Sequence, residues 1–599
     1  MSDFIERPYE NEKNKAIKYV KQLLDQASLN NKQTDKDELA EILRLLNSKR
    51  YGLVWEQHAE KVKEHLKKVI PVFKEDKDKK LSNKINDDYN FLLEGDNLYI
   101  LELLLRTHRG KINLIYIDPP YNTGSKKNED FKYNDTFVTA ADSYPHSKWL
   151  SFMAPRLRKA KELLTPDGVI AVSIDNHEGY QLKMLMDEIF GENNLVGDLH
   201  VETSAIAGPR RVQAMRGSVV KTTEFILIYT KGDNLHAMKR PMYDGIPGFD
   251  THYSKFYDNH SQQLINFTQV LKDTPKISDT FKQFKLKTSL KNLDCLVRMD
   301  NKTIKDWLYS DEISKNLFRY VGKYDGPEQL KVGVNELDGK FIIQDKDGNK
   351  AQGYRYFNRI GMSNDYKPQM GERAVRGNLW RGFSADGGNL NKEGGVNFKH
   401  GKKPLRLIKQ LIKSLTPGGK TPITVLDFFA GSGTTGEAVM QLNAEKAGNY
   451  KFILGTNDEA IDVAYKRMQN TNAKYPMNLK YFKTDFVRKD SENLEKSLLN
   501  NTKALVELDN MTDLGERSDI AIVLKRSQAS ELDLTGLSKV YMRSRVRRML
   551  PPLEQERYDS AHVELIDIPD EFFADDLGGC KVVRHEDLHK ANRAKKDED

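Results

Sequence analysis

Residues 117 to 124 read IDPPYNTG and follow the apolar run INLIYI. They place a carboxylate, two stiff prolines and an aromatic ring side by side. An exocyclic amino group on a nucleobase calls for that set. Its lone pair is delocalised into the ring, so it must rehybridise toward sp3 before attacking an electrophilic methyl group. Acceptors at its two N–H bonds favour that geometry and stabilise the charge that develops. Asp118 is one acceptor, and the main-chain carbonyl of Pro119, held still by Pro119-Pro120, is a second. Tyr121 offers a face on which a base turned out of its helix can stack. Two other readings stand beside this one: the loop can present a glutamine side-chain amide for methylation, or it can simply shape a turn. Cytosine C5 chemistry is excluded, because it needs a thiolate nucleophile, commonly after a proline. The two cysteines, Cys295 and Cys580, follow Asp294 and Gly579. The N4 amine of cytosine stays open.

A second chemical element lies far along the chain. LDFFAGSGTTGEAV sets Gly431, Gly433 and Gly436 between a predicted strand and a predicted helix, a G-x-G-x-x-G pattern. Such glycines let a ligand press against backbone, and the helix start beyond favours a negative group. An acid after the next strand can hold ribose hydroxyls; TNDE offers Asp458 or Glu459, of which Glu459 is the favoured choice. The loop alone does not choose between a nicotinamide cofactor and S-adenosylmethionine. A nicotinamide enzyme, however, leaves the Asp118 loop idle.

Elements must carry these loops to one place. From residue 89 apolar strands alternate with helical stretches: NFLLEGD, NLYILELLLRTH, INLIYI, a helical face from Lys148 to Leu164 interrupted by Pro155, GVIAVSID and EFILIYTK. This rhythm predicts an α/β fold with a mostly parallel sheet covered on both faces. It vanishes between about 233 and 395, where the chain is polar, aromatic, basic and rich in glycine, and it returns with KPLRLIKQLI and ITVLDFFAGSG. LKYFKTDF is a candidate edge strand. The expected organisation is a helical N-terminal region over 1–88, a core over 89–232, an insertion over 233–395, the second half of the core over 396–485, and a charged C-terminal region over 486–599.

Composition narrows the class. The chain has 599 residues, 38% of them hydrophobic, enough for several packed domains. Two isolated cysteines make neither a disulfide scaffold nor a cysteine-based zinc site, and no metal is expected. With no apolar leader in MSDFIERPYENEKNK and no long apolar run, the expectation is a cytoplasmic protein without membrane contact. The net charge is +8, and residues 201–400 carry 32 Lys and Arg against 23 Asp and Glu, so that third of the chain holds the whole excess. A polyanion partner fits that placement, as does an ordinary solvated surface.

The Asp-Pro-Pro-Tyr loop ahead of the glycine loop, with a large insertion between, resembles the β-type arrangement of amino-methylating DNA methyltransferases. More narrowly, YGLVWE, EGDNL, YIDPPYNTG, HSKWLSFM, SIDNHE and LDFFAGSGTTGEAV resemble the modification (Mod) subunit of type III restriction-modification systems, over about residues 50 to 485. The resemblance implies a circularly permuted seven-stranded sheet that binds S-adenosylmethionine, begins at its third strand, and holds a target-recognition domain in the insertion. It implies methylation of the adenine N6 amino group in double-stranded DNA, with Asp118, Pro119, Pro120 and Tyr121 as the catalytic loop. It assigns the cofactor to Asp96, Asp118, Pro119, Asp427, Phe429, Gly431, Ser432, Gly433 and Thr434, with Phe398, Lys403 and Pro404 beside the methionine moiety. It also implies a homodimer and a separate Res helicase-nuclease subunit as partner. A recognised alternative is an orphan adenine methyltransferase with no restriction partner, and another is a DNA-binding module with an inactive core.

Overall fold

The computed structural model describes residues 12–29, 36, 38–39, 42–43, 55, 60–83, 87–123, 145–207, 209–232, 237–388, 390–398 and 402–577. Most of YGLVWE and DELAEILRLL, together with Gly124 and Cys580, lie outside the described residues. Residues 1–57 and 58–599 form two compact units. The first contains the helix Glu12–Leu29.

In the second unit, six strands precede the insertion: β1 (Val69–Glu75), β2 (Asn90–Glu94), β3 (Ile112–Ile117), β4 (Leu164–Ile174), β5 (Leu195–Glu202) and β6 (Thr223–Thr230). The insertion holds the short strands β7 (Tyr243–Gly245), β8 (Tyr253–Asp258), β9 (Gln263–Asn266), β10 (Leu317–Lys323), β11 (Gly333–Leu337), β12 (Lys340–Gln344), β13 (Lys350–Arg355), β14 (Ile360–Met362) and β15 (Met370–Val375). After it come β16 (Leu379–Trp380), β17 (Pro422–Asp427), β18 (Asn449–Thr456), β19 (Leu479–Arg488), β20 (Ile520–Val523), β21 (Lys539–Arg543) and β22 (Glu564–Ile568).

The central sheet runs β1-β19-β2-β18-β17-β3-β4-β6-β5-β16. Its middle seven strands, β2 to β5 in that order, are parallel except for β6, which is antiparallel to both β4 and β5. β17 and β18 come late in the chain yet sit between β2 and β3, which is the permuted order the sequence led us to expect. Ile115, Val425 and Phe452 are fully buried, as strands covered on both faces require. The covering helices include Asn97–Thr107, Pro145–Leu163 and Leu405–Leu415, each turning its apolar stripe inward. Pro155 sits inside the second of these without ending it.

Two edges differ from expectation. The helical expectation for 1–88 fails at Val69–Glu75, which is a strand paired antiparallel to β19. Val69, Ile70, Val72 and Phe73 are all buried, a continuous apolar run that suits a strand, and Pro71 is tolerated because β1 is outermost. At the other edge β16 adds to β5, and Trp380 packs into the main core.

Residues 243–375 are built differently from the central sheet. Their six-stranded sheet β11-β12-β13-β10-β8-β9 is antiparallel throughout, and short helices pack on it around Phe267, Phe281, Leu293 and Tyr356. The C-terminal region, unread in the sequence, folds too. β20-β21-β22 form a small parallel sheet with its own core. It is tied to the main sheet through fully buried Lys480, whose Nζ lies 2.6 Å from Glu507, 2.9 Å from Glu75 and 3.0 Å from Asp513. Among the described residues no helix is long and apolar enough to cross a membrane.

Candidate active site

β2, β18, β17, β3 and β4 are parallel, so the loops that follow them leave at one edge of the sheet. Asp96 follows β2, Glu459 follows β18, the glycine loop follows β17 and the Asp118 loop follows β3. The chain turns to opposite sides after β17 and after β3, and a crevice opens between those two loops, where α/β sheets commonly bind ligands. It is a cavity of about 760 Å3 lined by Asp118, Pro119, Tyr121, Phe429, Gly431 and Ser432, among others.

β6 runs the other way, so its first residues, not its last, reach the same edge. That places Glu224 opposite Asp118. Lys403, just before the helix Leu405–Leu415, fills the space between them. Its Nζ donates to Glu224 Oε2 at 2.6 Å and to the Tyr121 hydroxyl at 2.5 Å, and stands 3.4 Å from Asp118 Oδ1. Tyr121 in turn donates to Asp118 Oδ1 at 2.8 Å. One cation therefore serves two carboxylates, one of them through a phenol.

The electrostatics follow from this packing. Burial pushes the Asp118 carboxyl up to about 6, and Glu224 adds to the rise, while Lys403 and the Tyr121 hydroxyl pull the other way. Burial would raise Glu224 as well, but its closer contact with Lys403 wins and holds it below the usual range. Burial alone would lower Lys403; the two carboxylates override it and keep it charged well above the usual lysine range. Burial and both acids hold the Tyr121 phenol protonated. Trp149 fixes the loop's backbone by donating to the carbonyl of Pro120 at 2.7 Å, which leaves that bond off Pro119.

The glycine loop is held by different means. Asp427, buried at the end of β17, accepts from the Phe429 amide at 3.0 Å and from the Thr435 hydroxyl at 2.5 Å. Burial lifts its carboxyl to about 7. Arg467, fully buried on the helix Asp458–Lys474, donates to Thr434 Oγ1 at 2.6 Å, Ser432 Oγ at 3.2 Å and Glu437 Oε2 at 2.7 Å. Gly431 has φ +49°, and a β-carbon there would project to 4.0 Å from Phe398 Cε1, across the cavity. Gly433 has φ +77°, but its β-carbon would face Ala464 and Met468 at 3.4 Å. The second glycine of the pattern thus admits a helix rather than facing the cavity, and Gly436 does the same against Met468 and Leu454.

The predicted site residues therefore divide. Asp118 to Tyr121, Asp427, Phe429, Gly431, Ser432, Thr434, Phe398, Lys403 and Pro404 meet around one cavity. Asp96 and Glu459 share the edge but do not line it. Asp96 caps the helix Asn97–Thr107 by accepting from Leu98 N at 2.8 Å, and it lies 3.4 Å from Arg156. Glu459 and Asp458 are exposed in the first turn of the helix Asp458–Lys474. Sequence reasoning missed Glu224 and Arg467. A charge heading the apolar run EFILIYTK was a usable signal for the first; an arginine within a polar helix gave none for the second.

Comparison with known proteins adds an independent finding. Residues 112–466 match the family model described as DNA methylase. The chain is 31% identical over 388 residues to a Haemophilus influenzae protein named "Probable type III restriction-modification enzyme HindVI Mod subunit", covering 60% of this chain and 48% of that one. It is 30% identical to the type III restriction-modification enzyme EcoPI Mod subunit of Escherichia phage P1, over 65% of this chain and 60% of the relative. It is 29% identical to the type II methyltransferase M.KpnI of Klebsiella pneumoniae, over 62% of this chain and 82% of that protein. The matched part thus spans about half the length of the first relative.

Proposed function

This chain belongs to the DNA methylase family, and from that premise we propose that it methylates the N6 amino group of adenine at a specific site in double-stranded DNA, with S-adenosylmethionine as donor. The observation that carries the proposal is the joint cavity of the glycine loop and the Asp118–Tyr121–Lys403–Glu224 cluster. Its size suits a cofactor together with an inserted base. Gly431 leaves room where a side chain would fill the space before Phe398. S-adenosylmethionine, when bound, supplies a methyl group on an electrophilic sulfonium. Phe398, Phe429 and Gly431 would hold it, with Asp427 fixing the loop from below; Asp96 and Glu459, at the neighbouring strand ends, are assigned to it by the resemblance alone.

The chain's own residues do the rest. The Asp118 carboxylate accepts one N–H of the adenine amine and the Pro119 carbonyl accepts the other, which draws the lone pair out of conjugation with the ring. Tyr121 presents its ring to the base, while its hydroxyl is spoken for by Asp118 and Lys403. Lys403 keeps Asp118 ionised in a buried setting. As the N–C bond forms and the methyl–sulfur bond breaks to leave a neutral thioether, the amine would become cationic beside two carboxylates and would then shed one proton. Asp118, poised at about 6, is the nearest acceptor for it.

We further propose that the chain is the modification and specificity subunit of a type III system. It would read its site through the insertion, pair with a second copy, and leave cleavage to a separate helicase-nuclease partner. The string SLTPGGKT supports that division of labour. It runs from the helix Leu405–Leu415 into β17, the reverse of the strand-loop-helix order of a phosphate-binding P-loop. The test is to incubate the purified full chain with labelled S-adenosylmethionine and unmethylated DNA. Label recovered as N6-methyladenine is the expected result, and label on cytosine N4 or none would overturn it.

A further inference from the structure

Residues 203–207 and 209–222 lie between β5 and β6, and several of them line the cavity. The base of this arm is closed by the Thr203 amide donating to the Thr222 carbonyl at 3.0 Å. Above that base, Ser204, Arg210, Gln213, Val219 and Lys221 form part of the cavity wall.

The arm combines two features. It contains Arg210, Arg211, Arg216 and Lys221 and no acidic residue. It also holds apolar side chains in water: Val219 is 101% exposed, Met215 78%, Ile206 52% and Val212 48%. Exposed apolar groups on one arm, with Val219 in the cavity wall, mark a contact surface, and the arm's all-cationic charge selects a polyanion as the contact. Lys221 is anchored to Asp175 at 2.6 Å, so it steadies the arm's return to β6.

We propose that this arm is the wedge that opens the duplex: Val219 enters the base stack beside the target while Arg210, Arg211 and Arg216 grip the flanking phosphates. Apolar side chains inserted between base steps are a known way of unstacking DNA, and cations beside them hold the distorted backbone. The arm is well placed for the task, because Glu224, two residues beyond its base, already contacts Lys403 and Tyr121. A base leaving the stack at Val219 would be next to the groups that receive it.

The inference rests on the DNA methylation reading, and the experiment separates the two. The site is first mapped from modified bases in DNA of cells expressing the full chain. Two duplexes are then made, one with the target adenine paired and one with it opposite an abasic position, where opening is already done. Val219→Gly should transfer methyl groups about tenfold more slowly to the paired duplex, since extrusion of a paired base is the costly step. On the abasic duplex it should stay within about twofold of the unsubstituted chain. Val219→Ile should restore the paired rate, and the melting midpoint of all variants should be unchanged at so exposed a position. Equal loss on both duplexes, or no loss on either, would overturn the wedge alone. No transfer by the unsubstituted chain to either duplex would overturn the reading of function, and the wedge with it.

Discussion

After β3 the chain presents charge: Asp118, and around it Glu224, Lys403 and Tyr121 brought from other elements. After β17, one strand away, it presents backbone: Gly431 and the start of the helix Thr434–Ala444, with the nearby side chains turned to structural use. Asp427 ties the loop to itself, and Arg467 clamps Ser432 and Thr434 from behind. The difference suits two tasks. A reacting amine needs acceptors aimed at its N–H bonds, whereas a cofactor that must enter and leave each cycle needs shape more than fixed charge.

If that division is right, damage to the charged side should strike turnover and damage to the backbone side should strike binding. The largest effect belongs to Asp118→Ala. Methyl transfer should fall by about 10^3-fold or more, while S-adenosylmethionine affinity in calorimetry changes only slightly. A transfer rate within tenfold of the unsubstituted chain would remove Asp118 from the role given it.

The glycine pair sharpens the other side. Gly431→Val should cut cofactor affinity by roughly 100-fold, since its side chain would cross the cavity toward Phe398. Both substitutions carry the strain of a positive φ; Gly433→Val adds crowding against Ala464 and Met468, and should lower stability by roughly 1–3 kcal/mol while leaving cofactor affinity largely unchanged. Calorimetry and thermal melting of both variants give the answer. Equal effects on binding would mean that the two glycines face the same way.

Lys403→Met probes the link between charge and pH. Lys403 is among the influences that lower Asp118, whose carboxyl stands at about 6 with it present. Without it Asp118 titrates higher, so activity that needs the carboxylate is lost at a higher pH as the medium is acidified. The acidic limb of the rate profile should move upward, with several-fold loss near neutrality that recovers in alkali. A parallel drop at every pH would assign Lys403 to binding rather than to ionisation. The smallest effect is expected from Asp96→Asn. Asparagine caps a helix about as well as aspartate, so the melting midpoint should hold within about 0.5 kcal/mol. A few-fold loss of cofactor affinity would then report a role for the charge itself, and unchanged affinity would leave Asp96 as a cap.

The sequence was readable where chemistry is local. Asp118 to Tyr121 and Asp427 to Thr434 are contiguous strings that the fold brings to one cavity, the strand-helix alternation carried the mostly parallel sheet, and its permuted order came from the resemblance. It was unreadable where the site depends on topology. Lys403 was found by resemblance as a cofactor residue, but its contact with Glu224 joins positions 179 apart, and only the reversed direction of β6 brings them together. Gly433 shows a subtler limit: a glycine pattern says that a side chain is excluded, not from which face. β1 was missed because Lys, Glu and Leu around it follow a helical texture until Pro71.

The place of β17 next to β3 bears on how the molecule assembles. Val425 pairs with Leu114 across a gap in the chain that includes residues 118 to 421. Closing so long a loop late costs little more than closing a moderate one, because the entropic cost grows only with the logarithm of length. Folding speed is more sensitive, since contacts between distant segments form slowly. The insertion, with a core of its own around Phe267 and Tyr356, shortens the search by drawing much of the intervening chain into a compact body before the two halves meet. On the ribosome, strands β2 to β6 emerge long before β17 and β18, so the nascent chain at first lacks the strands that join β2 to β3. Its unpaired edges at β2 and β3 invite aggregation until the last third of the core arrives.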